Sequence, residues 1–374
     1  MSGARSILYL APTFLANRTR KQIRGVQVMD FQILTDLVSL GHRVCVPIEK
    51  TWKARFDEQM GPLARAANLE VVVVPALRKP LFATIACAFA LRNHRFDVAI
   101  LGNVARGIVP GVNMMLRRGV FTRMVIQANA APKPAFLKSL ARWPARVVAV
   151  SRHVAEAFPA RAGGEPVDVY YGVCNPDAFF PPPDSRPERP VRFCMLGKLD
   201  TALKGVDGVV KAFASLPPEL RERCELHLAS FPTMPSEQTR TSWGTGVIPH
   251  PWMPATEVPA FLREMDVLII ASASETYSQA CVQAMLTGIA VIGRDIPAIR
   301  EKLDTGAGLC FTDDAGLASC MERLASDHGL RRQMGREGRS HALAHCVWRT
   351  TEFLDRFVFN PDPQEQDQSG ITAG

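Results

Sequence analysis

The sequence predicts an α/β protein made of two doubly wound parallel-sheet domains, and three observations predict it. At 374 residues the chain is longer than one hydrophobic core ordinarily serves. Short apolar runs alternate with helical stripes in both halves, the pattern of parallel strands covered on both faces. Between the halves lies Phe180-Pro181-Pro182-Pro183-Asp184-Ser185-Arg186-Pro187-Glu188-Arg189-Pro190. Proline fixes φ and lacks an N–H, so this stretch belongs in no helix or sheet interior and reads as a stiff linker.

In the first half, residues 7–11 read as a buried strand. Met29, Ile33, Leu34, Leu37 and Leu40 follow at helical spacing, and Gly41 ends that stripe. Further strands are predicted at 44–48, 71–74, 98–101, 124–126 and 147–150. After the linker the alternation restarts with strands at 191–196, 226–229, 267–271 and 289–292. Helices are expected at 206–216, 277–287, 315–325 and 330–345. The domain reading is 1–182, a linker at 183–190, a second domain at 191–345 and a closing helix at 346–359 that crosses back to the first domain. Residues 360–374 are polar with Gly and Pro, and read as a disordered tail. Two such domains place a ligand cleft between them, at the carboxyl ends of the strands.

Hydrophobic residues at 47% and charged residues at 21% exclude a disordered or fibrous chain. Nine cysteines, none spaced Cys-x-x-Cys, argue against a zinc ribbon or a disulfide framework and point to a reducing compartment. The longest uncharged apolar run, 81–91, spans 11 residues, short of the roughly 18 of a spanning helix. The first apolar run stops at Pro12, too soon for a signal-peptide core. The expected location is the cytoplasm, with the inner face of the cell membrane left open.

Charge is unevenly divided. Residues 1–180 hold 24 Lys/Arg against 11 Asp/Glu, while 181–374 hold 20 against 25, so +13 and −5 make up the net +8. An anionic membrane would attract such a half at about 1 kcal/mol per well-placed cation. No helix-turn-helix, zinc-finger or RNA-recognition pattern supports a nucleic-acid partner. A solvated surface, or a pocket for a phosphorylated small molecule, explains the charge equally well. Two segments interleave cations with large apolar groups: 133–143, and Trp52, Lys53, Arg55 and Phe56. Each reads either as a lipid-facing surface or as a helix packed on the sheet.

Chemistry concentrates in the run 271–288, Ala-Ser-Ala-Ser-Glu-Thr-Tyr-Ser-Gln-Ala-Cys-Val-Gln-Ala-Met-Leu-Thr-Gly. A buried strand ends at Ala271, which puts Glu275 in the loop at its carboxyl end. Thr276 and Gln279 have capping-box spacing, so a helix is expected to start there. Amides of Thr276, Tyr277, Ser278 and Gln279, with the helix dipole, would suit a diphosphate. Gln283 lies six residues past Tyr277, about 9 Å along a helix at 1.5 Å per residue. The bland alternative is a capped strand–turn–helix unit with solvated polar residues. Gly197-Lys198-Leu199-Asp200-Thr201-Ala202-Leu203-Lys204-Gly205 also follows a strand, and its two lysines could neutralise a departing diphosphate or merely be solvated. Arg24-Gly25-Val26 precedes the first helix, where a glycine lets backbone approach a phosphate. Trp252 reads as a base-stacking or a core residue. Asp313-Asp314 reads as a turn, and His341 with His345 as a helix face rather than a metal site.

Together these positions resemble the retaining glycosyltransferases of the GT-B fold, in particular family 4. The matching residues are Val150-Ser151, Tyr171-Gly172-Val173-Cys174-Asn175-Pro176, Gly197-Lys198 with Lys204-Gly205, Met265-Asp266-Val267-Leu268 leading to Ser274-Glu275, Ala284-Met285 with Gly288, and the closing stretch 330–348. The resemblance implies two Rossmann-like domains facing a central cleft, the first binding the acceptor and the second a nucleotide sugar. It implies that Glu275 holds donor-sugar hydroxyls, that Lys198 and Lys204 bind the diphosphate, and that Gly25 approaches it from the other domain. It further implies sugar transfer with retained anomeric configuration, no cofactor and no metal, to a glycan, lipid-linked or small-molecule acceptor.

Three departures qualify it. Gln283 stands where the family has a second glutamate on the nucleotide ribose, and Lys198 stands where an arginine is usual, losing the bidentate fork. Gln127-Ala128-Asn129 stands where many relatives carry a histidine, so Gln127 and Asn129, with Arg24, are the acceptor-side candidates. A binding protein with impaired catalysis and a sugar-nucleotide epimerase remain as alternative readings.

Overall fold

The computed structural model describes residues 4–15, 25–76, 80–103, 106–160, 167–170, 172, 176–183, 188–199 and 202–359. The expected tail at 360–374 and part of the proline stretch, 184–187, lie outside them. The chain divides into two units, one of Met1–Cys174 with Trp348–Gly374 and one of Asn175–Val347. The division thus falls at Cys174 rather than after 182, and the proline stretch belongs to the second unit.

The first unit holds a seven-stranded parallel sheet of order β3-β2-β1-β4-β5-β6-β7. Its strands are β1 Ser6–Leu10, β2 Arg43–Glu49, β3 Leu69–Val74, β4 Val98–Leu101, β5 Met124–Ala128, β6 Ala145–Ala149 and β7 Asp168–Val169. The central strands β1, β4 and β5 are buried along nearly their whole length, which is why they read as unbroken apolar runs. Helix Gly25–Ser39 buries Met29, Ile33, Leu34 and Leu37 against the sheet, the stripe expected from the sequence, while Leu40 lies beyond its end and is exposed.

Trp348 and the turns that follow it complete this unit. Tyr170 packs edge-on against Trp348 and Phe357 at centroid distances of 5.1 and 5.6 Å, and its hydroxyl donates to the Arg349 carbonyl at 3.1 Å. Arg146 donates to the carbonyl of Arg356 at 3.0 Å and pairs with Asp168 at 2.8 Å. The helix Thr350–Phe353 continues as a π-helix over Leu354–Phe359.

The second unit holds a six-stranded parallel sheet of order β10-β9-β8-β11-β12-β13. The strands are β8 Val191–Leu196, β9 Cys224–Phe231, β10 Val247–Pro251, β11 Val267–Ile270, β12 Ala290–Arg294 and β13 Gly308–Phe311. Edge strands β10 and β13 are half-exposed and broken by Pro, Gly and polar residues, so no apolar run announces them. A polar chain crosses β8 to β10: Arg192 donates to Glu225 at 2.8 Å, Glu225 meets His227 at 3.1 Å, and His227 meets His250 at 2.9 Å.

Both apolar–cationic segments turn inward. Trp52 and Phe56 are buried and ring-packed on Phe14, and Phe136 and Trp143 are buried edge to face at 5.5 Å. Their aromatic rings are taken up inside the unit, Trp52 and Phe56 beside Phe14 and Phe136 against Trp143, so these rings are not offered to a lipid surface.

One buried group carries a pH dependence. Asp30, 1% exposed, accepts from the hydroxyls of Tyr9 and Thr13, each at 2.8 Å, at the carboxyl edge of β1. Burial raises its pKa from 3.8 to about 7, against the lowering by these two hydrogen bonds. A carboxyl whose folded pKa is raised favours folding below its unfolded value and loses that contribution as pH climbs through about 7. We therefore expect Asp30→Asn to lose stability relative to the parent at pH 5 and to regain ground by pH 8. Thermal melts across that range test this, and a constant difference between the two proteins would contradict it.

Candidate active site

Strand order in the second sheet reverses between β8 and β11, and the crevice outside the carboxyl ends at such a reversal is where open α/β sheets bind ligands. Two loops leave the sheet at that point. The loop after β8 carries Gly197, Lys198 and Lys204, and the loop after β11 carries Ser272, Glu275, Thr276, Tyr277 and Ser278.

The two loops are tied together. Lys204 Nζ donates to Glu275 Oε1 at 2.7 Å and to Ser272 Oγ at 3.3 Å, and the Ala273 amide donates to the Leu203 carbonyl at 2.9 Å. Glu275 is 16% and Lys204 28% exposed, so the pair is sheltered yet open to a ligand. Gly205 makes the close approach feasible. Its φ is +69°, and a Cβ there would meet the Ala271 carbonyl oxygen at 2.7 Å. Gly197, at φ +138°, turns the chain directly after β8. Lys198 is half-buried in the same loop, so both sequence-predicted lysines share it.

The helix beyond Glu275 starts later than its capping-box spacing implies. It spans Gln279–Thr287, and Ser278 precedes it at φ 63°, ψ 82°, with no side-chain cap. Tyr277 is the cause: its ring is 6% exposed, and its hydroxyl reaches the Cys346 carbonyl at 3.4 Å. Pulling Tyr277 inward forces the left-handed turn at Ser278, and a helix cannot run through it. The first-turn amides therefore begin at Gln279, and Thr276 is exposed in the loop. Gln283 sits half-buried four residues into the helix, about 6 Å from its start.

Sequence reasoning missed Lys302 and Arg294. Lys302 is 1% exposed on the helix Pro297–Leu303, with its ammonium 4.4 Å from the Tyr277 ring centroid. It donates to the Ala298 carbonyl at 2.7 Å and to Glu301 at 3.1 Å, which compensates a buried charge. Its flanking sequence looks like an ordinary solvated helix face, so no local signal marks it. Arg294, at the carboxyl end of β12, donates to the Ala271 carbonyl at 3.2 Å and lies over Phe311.

The remaining candidates are less concentrated. In the first unit Gly25 opens the helix Gly25–Ser39, and Arg24 lies outside the described residues. Asn129 is half-buried past β5 and donates to the Gly102 carbonyl at 2.8 Å, whereas Gln127 is 2% exposed within β5 and is not presented at the strand end. Trp252 is half-buried beyond β10. Asp313 caps the helix Asp314–Ser326 by accepting from Gly316 N at 2.7 Å, and His341 lies 4.8 Å from His345 on one helix. Among the described residues no three His, Cys, Asp or Glu side chains are grouped to hold a metal ion.

Because Gly205 combines a left-handed φ with backbone contact, Gly205→Ala should destabilise the protein by about 1–3 kcal/mol, read as a lower melting temperature. A melting temperature equal to the parent's would show that the two loops can separate without cost.

Residues 190–327 match the family of glycosyl transferases group 1. No curated protein matches the chain. Among solved structures, sucrose-phosphate synthase from Thermosynechococcus elongatus is 15% identical with a TM-score of 0.69, over 99% of this chain and 100% of that one. Anabaena HepE in complex with UDP is 14% identical with a TM-score of 0.72, over 98% and 100%. A glycosyltransferase from Rickettsia africae is 14% identical with a TM-score of 0.73, over 96% and 100%. Likeness at this level of identity speaks for the fold: the chain has the GT-B fold, and its second unit carries a segment that matches the glycosyl transferases group 1.

Proposed function

We propose that the chain is a glycosyltransferase that moves a sugar from a nucleoside-diphosphate sugar to a hydroxyl acceptor, with retained anomeric configuration and without a metal ion. The observation that carries this reading is the Lys204–Glu275 pair, 2.7 Å apart at the β8–β11 reversal and beside the helix that opens at Gln279. HepE has been crystallised with UDP and with UDP-glucose, which supports a uridine-diphosphate sugar as the first donor to try.

Each group then has one task. An ammonium carries three N–H donors, and Lys204 aims two at Glu275 and Ser272, which orients the third for a phosphate oxygen. Lys198 adds a second positive charge to the same loop. The first turn from Gln279 onward, with the helix dipole, faces the charge that grows on the departing diphosphate. Glu275 accepts hydrogen bonds from donor-sugar hydroxyls and holds the ring in place. Retention follows when the acceptor attacks the face the diphosphate leaves, and the leaving phosphate takes the acceptor's proton. No protein base is needed for that step. The first unit would bind the acceptor, a glycan, a lipid-linked sugar or a small molecule, with Asn129 at its carboxyl edge.

One departure supports a second reading, a nucleotide-sugar-binding protein with impaired catalysis: Gln283, an amide, stands where the family resemblance implies a glutamate on the ribose. Its neutral side chain still offers both a donor and an acceptor to ribose hydroxyls.

Donor hydrolysis in the absence of acceptor, followed by mass spectrometry, separates the two. The transferase reading expects slow hydrolysis, and Lys204→Ala or Glu275→Ala should lower it by on the order of a hundredfold. Parent-level rates in both variants would reject the site. Gln283→Glu should tighten nucleotide binding, and thermal shifts with UDP-, GDP-, ADP- and dTDP-sugars read this directly. An unchanged shift would remove residue 283 from the donor.

A further inference from the structure

The outward face of the helix Pro80–Ala90 is unlike that of an ordinary surface helix. Its sequence, Pro-Leu-Phe-Ala-Thr-Ile-Ala-Cys-Ala-Phe-Ala, holds a single polar residue, Thr84. Thr84 faces inward with Ala83, Cys87 and Ala88, and its hydroxyl lies 3.0 Å from the carbonyls of Leu81 and Gly107. The other face consists of Leu81, Phe82, Ile85, Phe89 and Ala90, all half-buried or exposed, while Ala86 packs against the core of Leu15, Val74, Ala83 and Cys87. Phe82 and Phe89 are each 50% exposed. Seven residues apart, they stand on one face about 10 Å from each other. A helix apolar all round is ordinarily buried or in lipid, and this one presents a wholly apolar face to solvent.

The surroundings indicate what covers it. Residues 98–155 contain nine Lys/Arg and no Asp or Glu. Parallel crossovers are right-handed, so with this strand order the helices after β3, β4 and β5 share one side of the sheet. Those helices are Pro80–Ala90, Val109–Arg117 and Pro134–Leu140. On and just beyond the latter two, Arg117, Arg118, Lys138 and Arg142 are exposed. The guanidinium of Arg118 lies 4.9 Å from the Phe89 ring centroid, so the cationic and apolar surfaces are continuous. A protein partner could cover an apolar face but would not call for so one-sided a field, and a nucleic-acid duplex offers charge without an apolar layer. An anionic bilayer offers both.

We propose that this side of the first unit is a membrane-docking surface, in which Phe82 and Phe89 enter the boundary between headgroups and acyl chains of an anionic bilayer while the neighbouring cations hold lipid phosphates. The surface belongs to the first unit and the Lys204–Glu275 loops to the second, and the proposal does not rest on the donor reading.

Co-sedimentation of the full chain with vesicles of phosphatidylcholine alone, or mixed with phosphatidylglycerol, tests it. The parent should bind the mixed vesicles, more weakly as salt is added, and the pure phosphatidylcholine vesicles at least tenfold less. Phe82→Ser with Phe89→Ser should weaken binding at least tenfold, and so should Arg117→Gln with Arg118→Gln. Phe180→Ser, which removes a comparably exposed ring from the second unit, should bind as the parent does. If the serine variant melts early, Phe82→Trp supplies the readout: its indole fluorescence should shift blue and be quenched by brominated lipid. Equal binding to both vesicle types, parent-like binding by the charge variant, or an indole signal from Phe82→Trp that brominated lipid leaves unquenched would overturn the proposal. So would a lipid-free dimer of the parent that the serine variant dissolves, since that would make the face a contact between copies. Donor hydrolysis measured on the same samples should be unchanged, which keeps this test separate from that of the active site.

Discussion

The ion pair between Lys204 and Glu275 joins two loops that are 71 positions apart in the chain. Its geometry depends on features that have no charge at all. Gly205 must take a left-handed φ so that the loop after β8 can lie against the Ala271 carbonyl. Ser278 must take another so that Tyr277 can enter the core while Glu275 stays outside. The buried ammonium of Lys302 under the Tyr277 ring holds that second turn from below. Charge placement at this edge of the sheet is thus a consequence of packing, and the pair would not meet if either turn relaxed.

The same principle separates the two kinds of amphipathic segment in the first unit. Segments rich in Trp, Phe, Lys and Arg look membrane-active by composition, yet Trp52, Phe56, Phe136 and Trp143 are all buried. Burying an aromatic ring in the core gains roughly 1.5–3 kcal/mol, and the flanking cations stay in water on long stems. The uncharged helix Pro80–Ala90 behaves in the opposite way. It looks like a core helix by composition, but a sheet can cover only one of its faces. Its remaining apolar face is therefore left outside.

Much of the fold is legible in sequence. The central strands of both sheets are short, apolar and β-branched, and their burial on both faces explains the missing alternation. Edge strands β10 and β13 are not legible, because half-exposed strands tolerate proline, glycine and polar residues. Of the candidate site, Lys198, Lys204 and Glu275 are readable because each follows a strand that is itself unmistakable. The helix start is not: Thr276 and Gln279 have the spacing of a capping box, but burial of Tyr277 outweighs the roughly 1 kcal/mol such a cap supplies.

By itself, then, the sequence determined the class of fold, the two sheets with their central strands, and the two loops proposed to hold the chemistry, since these follow from hydrophobic periodicity and the punctuation of glycine and proline. Tertiary structure alone decided that Lys204 pairs with Glu275, that Lys302 is a buried support rather than a solvated residue, and which helix face is left uncovered. The physical reason is range. Periodicity and turn chemistry act over a few residues, whereas an ion pair, a buried cation and an exposed apolar face depend on which distant segments the sheet brings together.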